Sequence, residues 1–152
     1  MTGERRSRGG RGKGGGPRRR PARPRLPRLP RPTVVERFET VDRLLDGEVT
    51  DAGGVWSRAT AWILRLALEQ SVDELWARSA PELMRCPMRA QLLALRVFTG
   101  AETAAQVATL WSALSRAAHH HDYELAPSVT ELRRWREQAE AIDVLLSRVA
   151  IR

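Results

Sequence analysis

The sequence predicts an all-α protein: a bundle of about five helices with a disordered basic N-terminal tail. Apolar residues recur at three- and four-residue spacing from Thr33 onward, and no segment alternates as a β-strand would. The 152 residues are the length of one domain. We therefore divide the chain into a tail, residues 1–32, and a helical domain, residues 33–152.

Charge is unevenly distributed along the chain. Residues 1–32 hold twelve basic side chains and one acidic side chain, a net charge of +11. Residues 33–152 hold fourteen basic and seventeen acidic side chains, a net charge of −3. The overall charge of +8 therefore belongs to the tail, and a broad basic face for nucleic acid on the domain is disfavoured.

The tail is rich in Gly, Pro and Arg and has little to bury, a composition that predicts disorder. One interpretation is a nonspecific arm for RNA or DNA phosphates, with Arg18, Arg19 and Arg20 among its contacts. Two other interpretations stay open. In one of them the tail is a solubilising extension without a partner, and in the other it is the product of a start codon assigned too early.

The single cysteine and the apolar runs bear on the compartment. Cys86 has no partner for an internal disulfide, which is typical of a reducing compartment. The most apolar run, "AWILRLAL", is interrupted by Arg65, and no apolar segment follows the basic N-terminus. We expect a cytoplasmic protein without a membrane span or a secretory signal.

The first two helices are predicted from caps and periodicity. Thr33 is suited to cap the first helix, and the apolar positions of that helix share one face: Val34, Phe38, Val41 and Leu45. A loop ending at Gly53 and Gly54 leads to a second helix of about seven turns. Its predicted buried stripe consists of Ala59, Ile63, Leu66, Ala67, Val72 and Leu75. We expect Trp62 and Trp76 to face the core or a partner.

Three shorter segments complete the bundle. After a connection containing Pro81 and Pro87, the helix "RAQLLALRVF" ends at Thr99 and Gly100. The next helix extends to His121 and buries Val107, Leu110, Trp111 and Leu114. In the last helix, Pro127 suits the first turn and Ser128 a cap. Its apolar series is Val129, Leu132, Trp135, Ala139, Ile142 and Leu146.

All three histidines, His119, His120 and His121, stand together shortly after Arg116. On an unbroken helix, His119 or His120 would share a face with Arg116, whereas His121 would lie roughly 140° away. For His121 to meet Arg116, the helix must loosen near its end. Pro127 favours that, because it disfavours helical dihedrals at the residue before it.

Arg116, His121 and Tyr123 form the pattern R-x4-H-x-Y, which resembles the signature of the HEPN superfamily. The HepT-like toxins of prokaryotic toxin–antitoxin pairs are the most similar group. The segment "RATAWILRLALEQSVDELW" resembles their long early helix, and "YELAPSVTELRRWREQAEAIDVLL" resembles the segment after their histidine. The resemblance covers roughly Thr33 to Val149 in architecture and implies a HEPN-like helical bundle, but only the three motif residues are diagnostic.

The resemblance implies a domain that pairs two-fold, so that two copies of the motif meet in a cleft. It also implies a metal-independent endoribonuclease, with RNA as substrate, a homodimer and an antitoxin protein as partners. His121 would act as general base or acid at the ribose 2′-hydroxyl or the leaving oxygen. Arg116 would hold the scissile phosphate, and Tyr123 would hydrogen-bond that phosphate or be a modification site.

The chain also departs from the family pattern. Ala117 stands where members usually carry a polar residue, often Asn, and His119 and His120 are additional histidines that support, replace or crowd His121. Many HEPN domains lack nuclease activity and act as binding modules. A noncatalytic dimeric interaction module is therefore the alternative, and a nucleic-acid accessory protein that binds through its tail is a third hypothesis.

A purely structural interpretation of the stretch stays open as well. In it, Arg116 pairs with Glu124 or with the carbonyl groups at the end of its own helix, and Tyr123 packs with its hydroxyl in water. Consecutive histidines point in different directions and no second Cys/His cluster exists, so we predict neither a metal site nor a cofactor.

Overall fold

The structure, a computed structural model, describes residues 30–47, 55–119 and 125–149. The helices in those ranges are α1 (Val34–Leu45), α2 (Val55–Ser79), a 3₁₀ helix (Pro81–Arg85), α3 (Met88–Thr99), α4 (Ala101–Ala118) and α5 (Val129–Ser147). These residues contain no strand. The predicted all-α bundle of five helices is therefore confirmed for this part of the chain, while most of the predicted tail lies outside the described residues.

Helix α1 begins at the predicted cap. The hydroxyl of Thr33 accepts a hydrogen bond from the N–H of Glu36 (3.2 Å), and the Glu36 carboxylate accepts one from the N–H of Thr33 (2.7 Å). This reciprocal capping box satisfies two N–H groups that the helix itself leaves without acceptors. The predicted inner face is confirmed, because its four apolar residues are all buried.

Helix α2 is the centre of the bundle and packs against α1, α4, α5 and the 3₁₀ helix. The predicted stripe is wrong in its first half, because Ala59, Ile63 and Leu66 are only partly buried. The residues that α2 buries are Ser57, Thr60, Ala61, Leu64, Ala67, Leu68, Ser71, Val72, Leu75 and Trp76. The buried face is wide because other helices pack against α2 on several sides. The sequence does not indicate which face is buried, because apolar residues occupy much of the circumference of α2.

The two tryptophans of α2 have different environments. Trp76 is fully buried and meets the ring of Phe98 edge to face, with the ring centroids 5.1 Å apart. Trp62 remains 49% exposed. Trp76 is thus a core residue, one of the two roles expected for it.

Helices α2 and α4 run antiparallel. An Nη atom of Arg58, near the start of α2, donates to the carbonyl oxygen of His119, just past the end of α4 (2.8 Å). Further along, the indole Nε1 of Trp111 donates to a carboxylate oxygen of Glu69 (2.9 Å). Later residues of α2 therefore contact earlier residues of α4.

Helices α2 and α5 run in the same direction. The hydroxyl of Ser71 donates to Asp143 (2.7 Å), and an Nη atom of Arg78 donates to the carbonyl oxygen of Leu146 (3.0 Å). Because α4 is antiparallel to α2 and α5 is parallel to it, α4 and α5 are antiparallel to each other. This relation determines which residues meet at each end of the α4–α5 pair.

The ends of α3 and α5 follow local signals. Helix α3 ends at Gly100, whose φ of +86° lies in the left-handed region that favours glycine. Ser128 caps α5 and forms a second capping box with Glu131, as predicted for the cap. Pro127 precedes the cap instead of occupying the first turn, so that part of the prediction is wrong. No helix in the described residues is long and apolar enough to cross a membrane.

Candidate functional site

Arg116 is in the last turn of α4, with an exposed side chain. Its guanidinium makes no hydrogen bond or ion pair within the described residues. The structure therefore does not contain the predicted alternative in which this group binds the carbonyl groups of its own helix. Pairing with Glu124 concerns a residue outside the described ranges.

Helix α4 ends at Ala118, three residues before the end predicted for it. His119 is the C-cap residue and has an extended backbone (φ −82°, ψ 136°), and its N–H donates to the carbonyl oxygen of Arg116 (3.2 Å). The prediction of a helix through His121 is wrong at this point. At this end Arg58 donates to the carbonyl oxygen of His119, a group that would accept from a following turn if the helix continued.

His119 is exposed, like Arg116. The other members of the predicted site, His120, His121 and Tyr123, lie outside the described residues. The structure thus locates one motif residue and one additional histidine at the same end of α4. It also identifies the loosening of the helix that a meeting of Arg116 with His121 requires.

Ala117 is partly buried and packs against the hydrophobic core. The side chain of its neighbour Arg116 is exposed. A polar side chain at position 117 would consequently begin on the core side of α4. This position therefore contributes to packing in this chain, and it offers no polar group to the histidine segment.

A groove with a volume of about 660 Å³ lies between α4 and α5. It is lined by residues of α4 from Glu102 to Ala113 and by residues of α5 from Arg134 to Leu145. Because the two helices are antiparallel, Glu102 and Leu145 mark one end of the groove, and Ala113 and Arg134 mark the other. Arg116 follows Ala113 by about one turn, so the groove leads toward the candidate site.

The described ranges were searched for side chains that could bind a metal ion. No group of three or more His, Cys, Asp or Glu side chains there is arranged to hold a metal ion. Cys86, in the connection before α3, is a free and partly buried thiol. Neither feature adds a reactive group to the end of α4.

Two features of this region were not predicted from the sequence. The first is the contact of Arg58 with the residue that ends α4, and the second is the groove with Glu102 and Arg134 at its two ends. Both depend on the relative direction of helices distant in sequence, so no local pattern indicates them. The distance of 61 residues between Arg58 and His119 illustrates the difficulty.

Comparisons with protein families, with curated proteins and with solved structures found no match for this chain.

Proposed function

We propose that this chain is a metal-independent endoribonuclease of the HEPN type, with a site formed by Arg116, His121 and Tyr123. The observation that carries the proposal is the end of α4. Arg116 is exposed and without a partner in the described residues, and the chain leaves the helix at His119, before the remaining histidines. The proposal is supported by an exposed cationic group within one turn of His119, whose backbone is extended, because a cation for the phosphate and a histidine for proton transfer are the groups that this reaction uses.

The proposed reaction is an internal displacement at phosphorus. His121 takes the proton of the ribose 2′-hydroxyl, and the 2′-oxygen forms a bond to phosphorus while the bond to the 5′-oxygen breaks. A protonated histidine, with His119 and His120 as further candidates, donates a proton to that leaving oxygen. Arg116 neutralises charge on the phosphorane oxygens through its planar guanidinium, and Tyr123 hydrogen-bonds the phosphate.

The test uses the full chain and a single-stranded RNA with labelled ends, in buffer containing a chelator. We expect cleavage by the wild-type chain and a loss of at least about 100-fold in His121→Ala, consistent with removal of a general acid–base group. Arg116→Ala should be impaired to a similar degree. Arg148→Ala, which removes an exposed arginine at the end of α5, is the matched control and should retain wild-type activity.

Background-level cleavage by both the wild type and His121→Ala would remove the enzymatic proposal. Cleavage that persists unchanged in Arg116→Ala would assign the activity to another site or to a contaminant. A gene for a small nucleotidyltransferase next to this one would favour a toxin with a protein antitoxin as partner.

A second function, a noncatalytic helical interaction module, is supported by Ala117. Its side chain packs against the core where members of the family usually have a polar residue. In this case, Arg116→Ala should leave both self-association and any cellular phenotype unchanged. If Arg116→Ala abolished a cellular phenotype while self-association persisted, the hypothesis of a noncatalytic interaction module would be excluded.

A further inference from the structure

The outer face of α3 exposes apolar side chains in two successive turns. Leu93 and Val97 are 79% and 85% exposed, the highest values of the large apolar side chains on the described helices. Ala90, one turn before Leu93, is exposed as well. The opposite face of the helix packs inside the bundle, where Leu92 and Leu95 are buried. The exposed apolar residues therefore lie outside the core, and adjacent apolar side chains on a surface indicate contact with another molecule.

The spacing of these residues is that of a helix–helix contact. Ala90, Leu93 and Val97 are separated by three and then four residues, which puts them on one side of α3. In a coiled coil the a and d positions, where one helix packs along another, have the same spacing. Arg89 and Arg96 each stand one position before an apolar residue of this series, so both flank the same edge of it. These five residues together are called the α3 surface below.

The α3 surface carries positive charge that the described residues do not neutralise. Arg89 and Arg96 are exposed and take part in no ion pair or side-chain hydrogen bond within the described residues. The sequence has no acidic residue between Glu82 and Glu102, and neither of these carboxylates forms an ion pair with the two arginines. Helix α4, the main neighbour of α3, has Glu102 as its single acidic residue. A molecule that covers the surface therefore meets two arginines ready to pair with carboxylates.

We propose that the α3 surface binds an amphipathic helix of a partner protein, with apolar residues along one side and Glu or Asp beside them. The apolar side chains of that helix cover Leu93 and Val97, and its carboxylates pair with Arg89 and Arg96. The inference does not rest on the proposed ribonuclease, because neither Arg116 nor the histidines take part in this contact.

Three other occupants match the α3 surface less well. A second copy of the surface brings no acidic group, because its arginines would face arginines in antiparallel pairing and Ala94 in parallel pairing. The tail of the chain has twelve basic side chains and one acidic side chain, so it brings charge of the same sign. Nucleic acid would pair with the arginines but leave Leu93 and Val97 without a counterpart, since bases stack on aromatic side chains. Charge and apolar spacing together favour an acidic helix.

The test measures the binding of two designed helical peptides to the full chain by fluorescence anisotropy. Both peptides have Leu at the a and d positions, and they differ in having Glu or Lys at the e and g positions. We expect the Glu peptide to bind at least about tenfold more tightly than the Lys peptide. Leu93→Gln/Val97→Gln should weaken binding of the Glu peptide at least about tenfold, because glutamine favours a helix but removes the apolar contact.

The basic tail also attracts an acidic peptide, so a charge reversal on α3 separates the two contributions. Arg89→Glu/Arg96→Glu leaves the tail unchanged and places two carboxylates beside the apolar series. This variant should bind the Lys peptide at least about tenfold more tightly than the wild type does. A gain of binding also shows that the variant is folded.

Matched controls change similar residues elsewhere on the surface. Val35→Gln alters an apolar residue of α1 that is 62% exposed, and Arg134→Glu reverses an exposed arginine of α5 without an ion pair in the described residues. Both variants should bind the Glu peptide like the wild type.

Several outcomes would overturn the inference. Equal binding of the two peptides to the wild type would do so, and wild-type behaviour of both α3 variants would assign any binding of the Glu peptide to the tail. Vesicles of phosphatidylglycerol provide the last comparison. If the wild type bound these vesicles and not the Glu peptide, and Leu93→Gln/Val97→Gln lost the vesicle binding, a lipid surface would replace the partner helix as the occupant.

Discussion

Arg136 connects α5 to α1 through one guanidinium group. Its Nε and one Nη donate to the two carboxylate oxygens of Asp42 (3.0 and 2.9 Å), and its other Nη donates to Glu140 (2.6 Å). The guanidinium carbon also lies 4.5 Å from the centre of the Phe38 ring. Burial lowers the pKa of Arg136, but the hydrogen bonds and charges of Asp42 and Glu140 outweigh it, so the pKa is raised overall.

Arg136→Lys should destabilise the fold although it keeps the charge. Lysine cannot donate to both oxygens of Asp42 and does not present a planar face to Phe38, so we expect the free energy of unfolding to fall by about 1–2 kcal/mol. Arg133→Lys is the contrasting control, because its ion pair with Asp46 is largely exposed. Its loss should be about 0.5 kcal/mol. Urea denaturation of both variants measures the difference, and equal losses would contradict the special role of Arg136.

The helices that could be predicted closely are those with local signals at their ends. Thr33 and Ser128 each begin a capping box, and Gly100 provides the left-handed residue that ends α3. The end of α4 could not be predicted, because the contact that accompanies it comes from Arg58 on another helix. The inner face of α2 was misassigned for a related reason, since it is defined by neighbours that the periodicity of one helix does not contain.

The capping boxes should make the stability of α1 and α5 depend on pH. Hydrogen bonds from the backbone and hydroxyl of Ser128 lower the pKa of Glu131, and those of Thr33 do the same for Glu36. A carboxyl group with a lowered pKa in the folded state contributes stability above its unfolded pKa, and that stability is lost as the pH falls through the folded pKa. We therefore expect part of the stability to disappear below about pH 4.5, a window set by ordinary glutamate.

Two substitutions in α5 test this element. Ser128→Ala removes the cap and should cost about 1 kcal/mol at neutral pH. Glu131→Gln keeps a side chain that can complete the capping box but does not titrate, so its stability should fall less steeply in acid than that of the wild type. Thr130→Ala, an exposed change in the same first turn, is the control for both. An identical acid profile for Glu131→Gln and wild type in thermal unfolding would contradict the role assigned to Glu131.

At the scale of the whole molecule, the sequence predicts only those relations in the candidate site that involve residues close together in the chain. Arg116 and His119 lie at the same end of α4, as their separation of three residues suggested. His120, His121 and Tyr123 lie outside the described residues, so their relation to Arg116 stays a prediction. The groove could not be predicted, because Glu102 and Arg134 belong to different helices whose direction is defined through contacts with α2.

The number of chains that contribute to one site provides the last prediction, which rests on the proposed ribonuclease. If Arg116 of one chain acted with His121 of the other, a heterodimer of Arg116→Ala and His121→Ala would contain one intact site and recover part of the activity. Arg116 and His121 are only five residues apart in the sequence, and α4 ends at Ala118 between them, so residues of a single chain can build each site. We therefore expect no recovery of RNA cleavage when the two variants are mixed and allowed to exchange subunits.

Subunit exchange itself needs a control in that experiment. Wild-type chain mixed with the double variant Arg116→Ala/His121→Ala should keep the activity of its wild-type chains, because a site built within one chain does not sense its partner. Labelled subunits report that exchange has taken place in each mixture. Recovery of activity in the mixture of single variants would show that the two chains share a cleft.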